Sequence, residues 1–257
     1  MLAALLCTLG APVSAQDPGV GRACQRASSS VEQIRACRTI AIALPQNSAA
    51  HHNLARALAA AGRDSAAILE FTRAVALDDN NAEAYRALAT SLIAVGRFND
   101  ALDAAYKAVR RTPATAETYR LLGQAYLGLH RFDAALLQFD EAVHCDPTDA
   151  SLWSQRAATL HALNRFEDSL ASFAEAIKRD SSVAMYYGGL AMAALPLGRY
   201  PLAVAAWKAA ERQRADYFGR HEAERFFRDE AVRRVGNVSA DESELRRVIA
   251  IGDPALP

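Results

Sequence analysis

Hydrophobic positions along most of the chain follow a helical spacing, interrupted by short polar breaks. In residues 116–149, AETYRLLGQAYLGLHRFDAALLQFDEAVHCDPTD, two amphipathic helices fit on either side of a break at Leu129–Arg131. Apolar residues three and four positions apart place one buried stripe on each helix. Two short helices cannot bury these stripes alone, so the pattern predicts neighbouring units of the same kind.

The same pattern recurs every 34 residues between about 48 and 217. Four columns of small or turn-forming residues keep this phase. They are Gly62, Gly96, His130, Asn164 and Gly198 between the helices; Ala67, Ala101, Ala135, Ser169 and Ala203; Ala74, Ala108, Ala142, Ala176 and Ala210; and Ala55, Ala89, Gly123, Ala157 and Ala191. Small residues in register let helix backbones approach closely, so each unit is expected to pack only on its neighbours.

The third unit carries a known signature. Tyr119, Leu122, Gly123, Tyr126, Ala135, Phe139, Ala142 and Pro147 follow the pattern W-x2-L-G-x2-Y, then Ala, Phe, Ala and Pro, with Tyr119 in place of Trp. The chain therefore resembles the tetratricopeptide repeat family over 48–217, although Arg156 replaces one Leu and Asp79 one closing Pro. The resemblance implies an all-α, right-handed α-solenoid of about five 34-residue helix-turn-helix repeats with capping helices at both ends.

The repeat phase divides the chain into segments. The predicted segments are a signal peptide at 1–15, an N-terminal capping hairpin at 16–47, repeats at 48–81, 82–115, 116–149, 150–183 and 184–217, a capping helix at 218–235, and a tail at 236–257 that is a short helix or disordered.

Side chains that can accept a hydrogen bond from a helix N-terminus recur at the start of the first helices. They are Asn47, Asn81, Thr115 and Asp149, and Val183 breaks the series. Pro201 fits the first turn of a helix, whereas Pro196 should shorten or kink the helix before it.

The N-terminus resembles an export signal. Leu2 to Leu9 form a short apolar core, and Val13-Ser14-Ala15 is a small-residue cleavage site before Gln16. The basic residues that usually precede such a core are missing, which leaves open a start upstream of Met1. We expect an exported protein, periplasmic or secreted.

Three cysteines remain after this cleavage. Export makes a Cys24–Cys37 disulfide plausible, and it requires a turn between them because one continuous helix would hold them roughly 20 Å apart. Ser28 to Ser30 supply that turn, with Ser30 and Gln33 as a capping box. Cys145 is expected to be a small buried residue.

Composition and motifs argue against several functions. With 29 basic and 29 acidic residues the net charge is zero, so nothing favours nucleic acid or an anionic membrane as the main partner. No apolar run is long enough for a membrane span. There is no phosphate loop, no G-x-S-x-G, no C-x-x-C and no H-E-x-x-H, and the six histidines are scattered. We therefore expect a non-enzyme without metal or cofactor.

The resemblance implies that first helices line a concave groove and that the groove binds another protein or a peptide. By repeat phase its candidate residues are His52, Asn53, Arg56, Arg86, Thr90, Arg120, Leu121, Gln124, Ser154, Gln155, Met185, Gly188 and Met192. The first half is basic and the second apolar, which suits an extended peptide with an acidic part and an apolar part.

Two alternatives remain beside this scaffold or adaptor function. The end helix at 220–235 carries an apolar stripe of Ala223, Phe226, Phe227, Ala231 and Val235. We expect this stripe to pack on the last repeat and cap it. In the first alternative, a self-assembling envelope protein, a second chain would cover the stripe instead, giving a homo-oligomer through the end units. The other alternative is an enzyme subunit.

Overall fold

A computed structural model of the chain describes Cys24 and residues 29–217, 221–235 and 242–251. The helices of this part, in chain order, are α1 (Ser30–Ala43), α2 (Ser48–Ala60), α3 (Asp64–Leu77), α4 (Ala82–Ala94), α5 (Phe98–Val109), α6 (Ala116–Gly128), α7 (Phe132–Cys145), α8 (Ala150–Ala162), α9 (Phe166–Arg179), α10 (Ala184–Ala194), α11 (Tyr200–Gln213), α12 (Glu222–Val235) and α13 (Glu242–Ile251). No strand occurs among these residues. The predicted fold class, an all-α repeat fold of the solenoid type, is confirmed.

The helices form two compact units, Met1–Ala114 and Thr115–Pro257, called unit 1 and unit 2 below. In unit 1, α1 packs on α2, and the hairpins α2–α3 and α4–α5 pack on each other through α3 and α4. In unit 2, the hairpins α6–α7, α8–α9 and α10–α11 follow one another in the same way. Consecutive packing of this kind is what the repeating small residues predict.

The first helices begin where the side chains predict. Asn47, Asn81, Thr115 and Asp149 each accept a hydrogen bond from a backbone N–H of the helix that follows. Val183 makes no such bond, as its apolar side chain requires. These caps confirm the 34-residue phase at the level of single hydrogen bonds.

The capping box predicted for α1 is displaced by one residue. Ser29, rather than Ser30, caps the helix and accepts a hydrogen bond from the Glu32 N–H at 3.3 Å. Three consecutive serines offer the same hydroxyl, so their sequence alone does not select the one that caps the helix.

The turn between the helices of each hairpin has one backbone geometry. The residues of the interhelix column all have positive φ: Gly62 69°, Gly96 77°, His130 56°, Asn164 59° and Gly198 70°. In the second hairpin, the Arg97 N–H donates to the Leu92 carbonyl and the Gly96 N–H donates to the Ile93 carbonyl, and every hairpin repeats this pair of bonds. This is a Schellman motif, which ends a helix with one left-handed residue and so favours glycine.

The core confirms the three alanine columns. Every alanine and serine in these columns has an exposed fraction of 0% or 1%, and Gly123 is buried as well. Aromatic rings of the second helices fill the space left by the small residues, as Phe139 does against Gly123 and Phe173 against Gly189. In unit 2 most buried apolar residues from Ala142 onward, Phe173 among them, belong to one continuous cluster.

Pro196 acts as predicted. Helix α10 has 11 residues, whereas α2, α4, α6 and α8 each have 13. Proline lacks a backbone N–H and its ring clashes with the preceding turn, so the helix ends before it. Pro201 lies in the first turn of α11, where the missing N–H has no partner to lose.

The C-terminal helices pack on the second helices of unit 2. Helix α12 contacts α11, and α13 contacts α9 and α11 through Leu245, which is buried. The predicted apolar stripe is wrong in part, because Phe226 is 66% exposed and Phe227 is 41% exposed, whereas Ala231 is buried. The side chain of Ala223 lies outside the described residues. Glu224 reaches the last hairpin from this helix instead.

The cysteines fall into two environments. Cys24 and Cys37 form a disulfide in the structure, with their Cα atoms 5.1 Å apart and both side chains buried. Cys145 is exposed, so its predicted burial is wrong. It is the last residue of α7. The predicted signal peptide at 1–15 and residues 16–23 and 25–28 of the predicted hairpin lie outside the described residues.

Candidate functional site

The first helices of successive hairpins contact each other, α2 with α4 in unit 1 and α8 with α10 in unit 2. Each unit therefore has one face made of first helices, called here its first-helix face. The candidate residues His52, Asn53, Arg56, Arg86 and Thr90 belong to the face of unit 1, and the remaining candidates belong to the face of unit 2.

On the first-helix face of unit 1, a glutamate joins two of the candidate side chains. The Nε2 atom of His52 lies 3.9 Å from Glu83 Oε1, and the Arg56 guanidinium lies 4.0 Å from the same oxygen. The His52 ring is buried edge-on against Phe71, and this burial lowers its pKa, although the negative charge of Glu83 opposes the effect. His52 is thus largely a core residue, and Arg56 supplies the exposed charge.

The other unit 1 candidates are more accessible. Arg86 and Asn53 are half-buried. Thr90 is exposed, and its hydroxyl donates to the Arg86 carbonyl at 3.0 Å. Since the Thr90 hydroxyl already donates within its own helix, Arg86 and Arg56 are the main hydrogen-bond donors that this face offers.

On the first-helix face of unit 2, polar side chains form a connected row. The Arg120 guanidinium donates to Gln124 Oε1 at 3.3 Å, and Gln124 Nε2 donates to Gln155 Oε1 at 2.6 Å, which joins α6 to α8. Gln155 Nε2 in turn donates to the Ser151 carbonyl at 3.2 Å. Arg120 and both glutamines are half-buried, so the row is ordered but still reachable. We call Arg120, Gln124 and Gln155 the amide row.

The amide row continues towards α10 through a hydroxyl pair. The Ser154 hydroxyl donates to the Ser151 carbonyl at 2.9 Å and also lies beside the Tyr186 hydroxyl. Burial raises the pKa of Tyr186, and the hydrogen bond with Ser154 opposes that shift. Tyr186 was not among the candidates, because the same phase holds alanine, threonine or leucine in the other hairpins.

Two of the unit 2 candidates are corrected by the structure. Leu121 is 0% exposed, so it packs inside the hairpin and cannot touch a partner. Gly188 is covered, because a Cβ atom placed on it would lie 1.6 Å from the Tyr217 hydroxyl and 2.9 Å from Glu224 Oε2. The position of a residue within the repeat identifies the side of the helix on which it lies. It does not identify which later segment of the chain covers that side.

The methionines divide between surface and core. Met185 is 59% exposed and extends the first-helix face of unit 2 with a flexible apolar side chain. Met192 is only partly exposed and packs against the core cluster. The accessible apolar part of this face is therefore smaller than the sequence predicts.

A half-buried carboxylate closes the end of this face. Glu224 Oε2 accepts hydrogen bonds from Trp207 Nε1 at 3.1 Å and from the Tyr217 hydroxyl at 2.7 Å. His221 stacks on Tyr217 and lies 3.5 Å from the other Glu224 oxygen. Burial is the main cause that raises the pKa of Tyr217, and its hydrogen bond to Glu224 adds to it. This cluster anchors α12 over Gly188.

A second recurring feature involves none of the candidate residues and was missed in the sequence. In the second hairpin, Tyr85 donates to Asp79 Oδ1 at 2.6 Å, and the Arg111 guanidinium stacks 4.5 Å from the Tyr85 ring centroid. Hydrogen bonds from Tyr85 and Arg111 lower the pKa of Asp79.

The fourth hairpin repeats this arrangement with Trp153 and Arg179. Trp153 Nε1 donates to the Pro147 carbonyl at 3.0 Å, and the Arg179 guanidinium stacks 4.4 Å from the Trp153 ring centroid. Arg179 also donates to the Pro147 carbonyl. The signal in the sequence was the spacing of Arg111 and Arg179, which is two repeat lengths.

The described residues contain no group of three or more His, Cys, Asp or Glu side chains placed to hold a metal ion. None of the described helices combines the length and the apolar character that crossing a membrane requires.

Comparisons with known proteins point to one repeat family. The family model for "Tetratricopeptide repeat" matches residues 86–150 and 156–217. A second model, "Bacterial transcriptional activator domain", matches residues 25–116. No curated protein sequence matches the chain significantly.

Solved structures with the same fold are numerous. YrrB, described as a TPR protein with an unusual peptide-binding site, is 18% identical, with a TM-score of 0.59 over 75% of this chain and 99% of that one. MamA from Desulfovibrio magneticus RS-1 is 21% identical, with a TM-score of 0.59 over 64% of this chain and 93% of that one. A thermophilic TPR protein from Thermus thermophilus is 26% identical, with a TM-score of 0.56 over 72% of this chain and 98% of that one.

Proposed function

Because the chain belongs to the tetratricopeptide repeat family, we propose that it is a non-enzymatic scaffold that binds an extended peptide, or an extended segment of a partner protein, on the first-helix face of unit 2. The observation that carries this proposal is the amide row. The row joins two successive first helices by side-chain hydrogen bonds and leaves its members half-buried.

The chemistry of the row suits a peptide backbone. A carboxamide has both donor and acceptor groups, so Gln124 and Gln155 can exchange their mutual bond for bonds to a peptide N–H and C=O. Arg120 at one end can pair with a carboxylate, and Met185 beyond the other end can take an apolar side chain. The ligand is therefore an extended segment with an acidic residue at one end and an apolar residue at the other.

The similar structures support binding in general terms. YrrB is described as having a peptide-binding site, and it shares the fold of this chain at 18% identity.

A panel of labelled ten-residue peptides tests the proposal. Peptides with Glu at one end and Leu or Met at the other are compared with scrambled versions by fluorescence anisotropy. We expect the patterned peptides to bind and Gln155→Ala and Arg120→Glu each to weaken binding at least tenfold. Lys208→Glu, an exposed charge change on the second helix α11, is the matched control and should bind like the wild type. Equal binding by Gln155→Ala would contradict the proposal.

A specific observation also favours self-association as a second function. Phe226 and Phe227 stack edge-on at 5.7 Å and are both exposed on α12. A contiguous exposed apolar patch can mark a contact with another chain. Light scattering on the exported chain should then show a dimer or larger species that Phe226→Ser with Phe227→Ser converts to a monomer. A monomeric wild type would remove this function.

Export of the chain is part of the proposal. The apolar core and cleavage pattern at residues 1–15 support it, and so does the Cys24–Cys37 disulfide, since such bonds persist mainly in oxidising compartments. We expect mature protein in the envelope or medium to begin at Gln16. Cytoplasmic protein that retains Met1 would contradict export without affecting the peptide-binding proposal.

A further inference from the structure

Unit 1 contains a cleft that is lined by none of the candidate residues of its first-helix face. The cleft has a volume of about 650 Å³ and lies between α1, the loop after it, α2 and α3. Most of its wall is apolar, including Ile42 of α1 and Leu77 at the end of α3. Pockets that bind small molecules or side chains have volumes of this order and a similar mixture of apolar wall and few polar groups.

Two of the other hairpins carry an arginine side chain at the position where the first hairpin has the cleft. In the second hairpin, the guanidinium of Arg111 covers the Tyr85 ring at 4.5 Å, and in the fourth, Arg179 covers Trp153 at 4.4 Å. One repeat length of 34 residues before Arg111 stands Leu77, which is 37% exposed. The first hairpin therefore presents an apolar side chain where the second and fourth hairpins place a stacked arginine.

The floor of the cleft is a hydrogen-bonded histidine. His51 occupies the ring position of Tyr85 and Trp153, with Nδ1 2.7 Å from Glu70 Oε2 and Nε2 3.1 Å from the Pro45 carbonyl oxygen. Both the His51 and Glu70 side chains are almost buried. Because the two ring nitrogens are engaged, the ring is held in place.

The charge of the cleft is positive at its rim. Arg73 donates to Glu70 Oε1 at 2.8 Å, so both Glu70 oxygens already have partners. Arg38 lines the cleft from α1 and is exposed, and among the described residues it has no ion-pair partner. Two guanidinium groups against one carboxylate leave an excess positive charge next to an apolar wall.

We propose that this cleft binds an apolar group that carries one carboxylate. The apolar part packs on Ile42 and Leu77, and the carboxylate pairs with the Arg38 guanidinium, whose planar donors match a carboxylate. Two sources have this chemistry, namely a free alkyl carboxylate and the C-terminal residue of a peptide that ends in an apolar side chain. The cleft lies in unit 1, whereas the proposed peptide site lies on unit 2. A negative result for one site is therefore distinguishable from a negative result for the other.

The test uses the full chain with its Cys24–Cys37 disulfide intact. Octanoate and octanamide are titrated by calorimetry, and so are a short peptide ending in leucine with a free carboxyl terminus and the same peptide with an amidated terminus. We expect a carboxylate to bind at least tenfold more tightly than its uncharged counterpart. Binding of octanoate alone identifies a free acid, and binding of the peptide alone identifies a C-terminus. If neither acid binds, or if acid and amide bind equally, the proposal is wrong.

Two variants locate the binding. Arg38→Ser should weaken the carboxylate at least tenfold, and Arg35→Ser, an exposed arginine on the same helix outside the cleft, is the matched control. Leu77→Arg restores the side chain found in the second and fourth hairpins and should abolish binding by filling the cleft. Circular dichroism checks that both proteins fold. Wild-type affinity in the Arg38→Ser protein would overturn the proposal.

Discussion

The close approach of α10 to Phe173 allows a quantitative test of how the repeats nest. Gly189 lies in α10, and a Cβ atom added there would meet Phe173 Cζ at 2.3 Å and Cε1 at 2.4 Å. Contacts below 3.0 Å force atoms to move, and the Phe173 ring is itself buried in the core cluster. Replacing Gly189 with alanine therefore has two opposing effects.

The two effects differ in size. Alanine instead of glycine in a helix interior normally stabilises by about 0.5–1 kcal/mol. Overpacking of a filled core normally destabilises by about 1–3 kcal/mol. We expect Gly189→Ala to lower the free energy of unfolding by about 1 kcal/mol, which corresponds to a fall in Tm of roughly 2–4 °C for a chain of this size.

A double-mutant cycle separates the contact from the helix propensity. Phe173→Leu removes the ring atoms that the new Cβ atom would meet, so Gly189→Ala should stabilise in that background by its helix propensity. The coupling free energy between the two positions should be about 1–2 kcal/mol. Urea unfolding followed by circular dichroism measures all four proteins. Equal stabilisation by Gly189→Ala in both backgrounds would show that Phe173 does not pack closely against position 189.

Three further changes have defined outcomes. His130→Gly should stabilise the protein by about 0.5–1 kcal/mol, because a φ of 56° strains a residue that has a Cβ atom. Gly96→Ala, at a φ of 77°, should destabilise the protein by about 1 kcal/mol for the same reason. Thermal melts of both variants test the shared turn geometry. Ala135→Trp should destabilise by more than about 2 kcal/mol, whereas Leu137→Trp on the exposed side of the same helix should leave Tm nearly unchanged. Burial lowers the pKa of His52, so its contribution to stability is complete above about pH 6.5 and falls as the pH drops from there through the lower folded-state pKa. His52→Gln should therefore reduce the loss of Tm between pH 7.5 and 5.5, and an unchanged pH dependence would contradict this.

The elements that could be predicted were those that depend on a residue and its neighbours in the same helix. Asn47, Asn81, Thr115 and Asp149 cap helices because a short polar side chain can reach the next turn wherever the helix lies. The small columns were predictable because their spacing equals the repeat length. His130 and Asn164 adopt the same positive φ as the glycines, since the turn needs a left-handed residue whatever the side chain.

The elements that could not be predicted depend on what packs over a helix from elsewhere. Gly188 has the phase of a surface residue, but Tyr217 covers it from the segment after α11. Phe226 lies on the apolar stripe of α12. Two hydrogen bonds of Glu224 anchor this helix, and the Phe226 ring is left exposed. A helical periodicity identifies an apolar side of a helix without identifying which neighbour reaches it.

The candidate site, like the fold, could be predicted from the sequence only in part. The repeat phase placed Arg120, Gln124 and Gln155 on the first helices, and the structure joins them into one row. Leu121 is adjacent to Arg120 in the chain, but a step of one residue rotates a side chain by about 100°, which turns it into the core. The cleft at Leu77 could be predicted only by comparing equivalent positions of the repeats, because no sequence motif marks it.

The central claim is that the amide row of unit 2 binds an extended peptide, and NMR of the side-chain amides tests it most directly. The NH₂ signals of Gln124 and Gln155 are assigned by substitution and followed while a patterned peptide is added. The account predicts that both signals shift together, with further changes confined to first-helix residues of unit 2, because the bond between the two glutamines is exchanged for bonds to the peptide. Peptide binding that leaves both signals in place, or that shifts only second-helix residues, would contradict it.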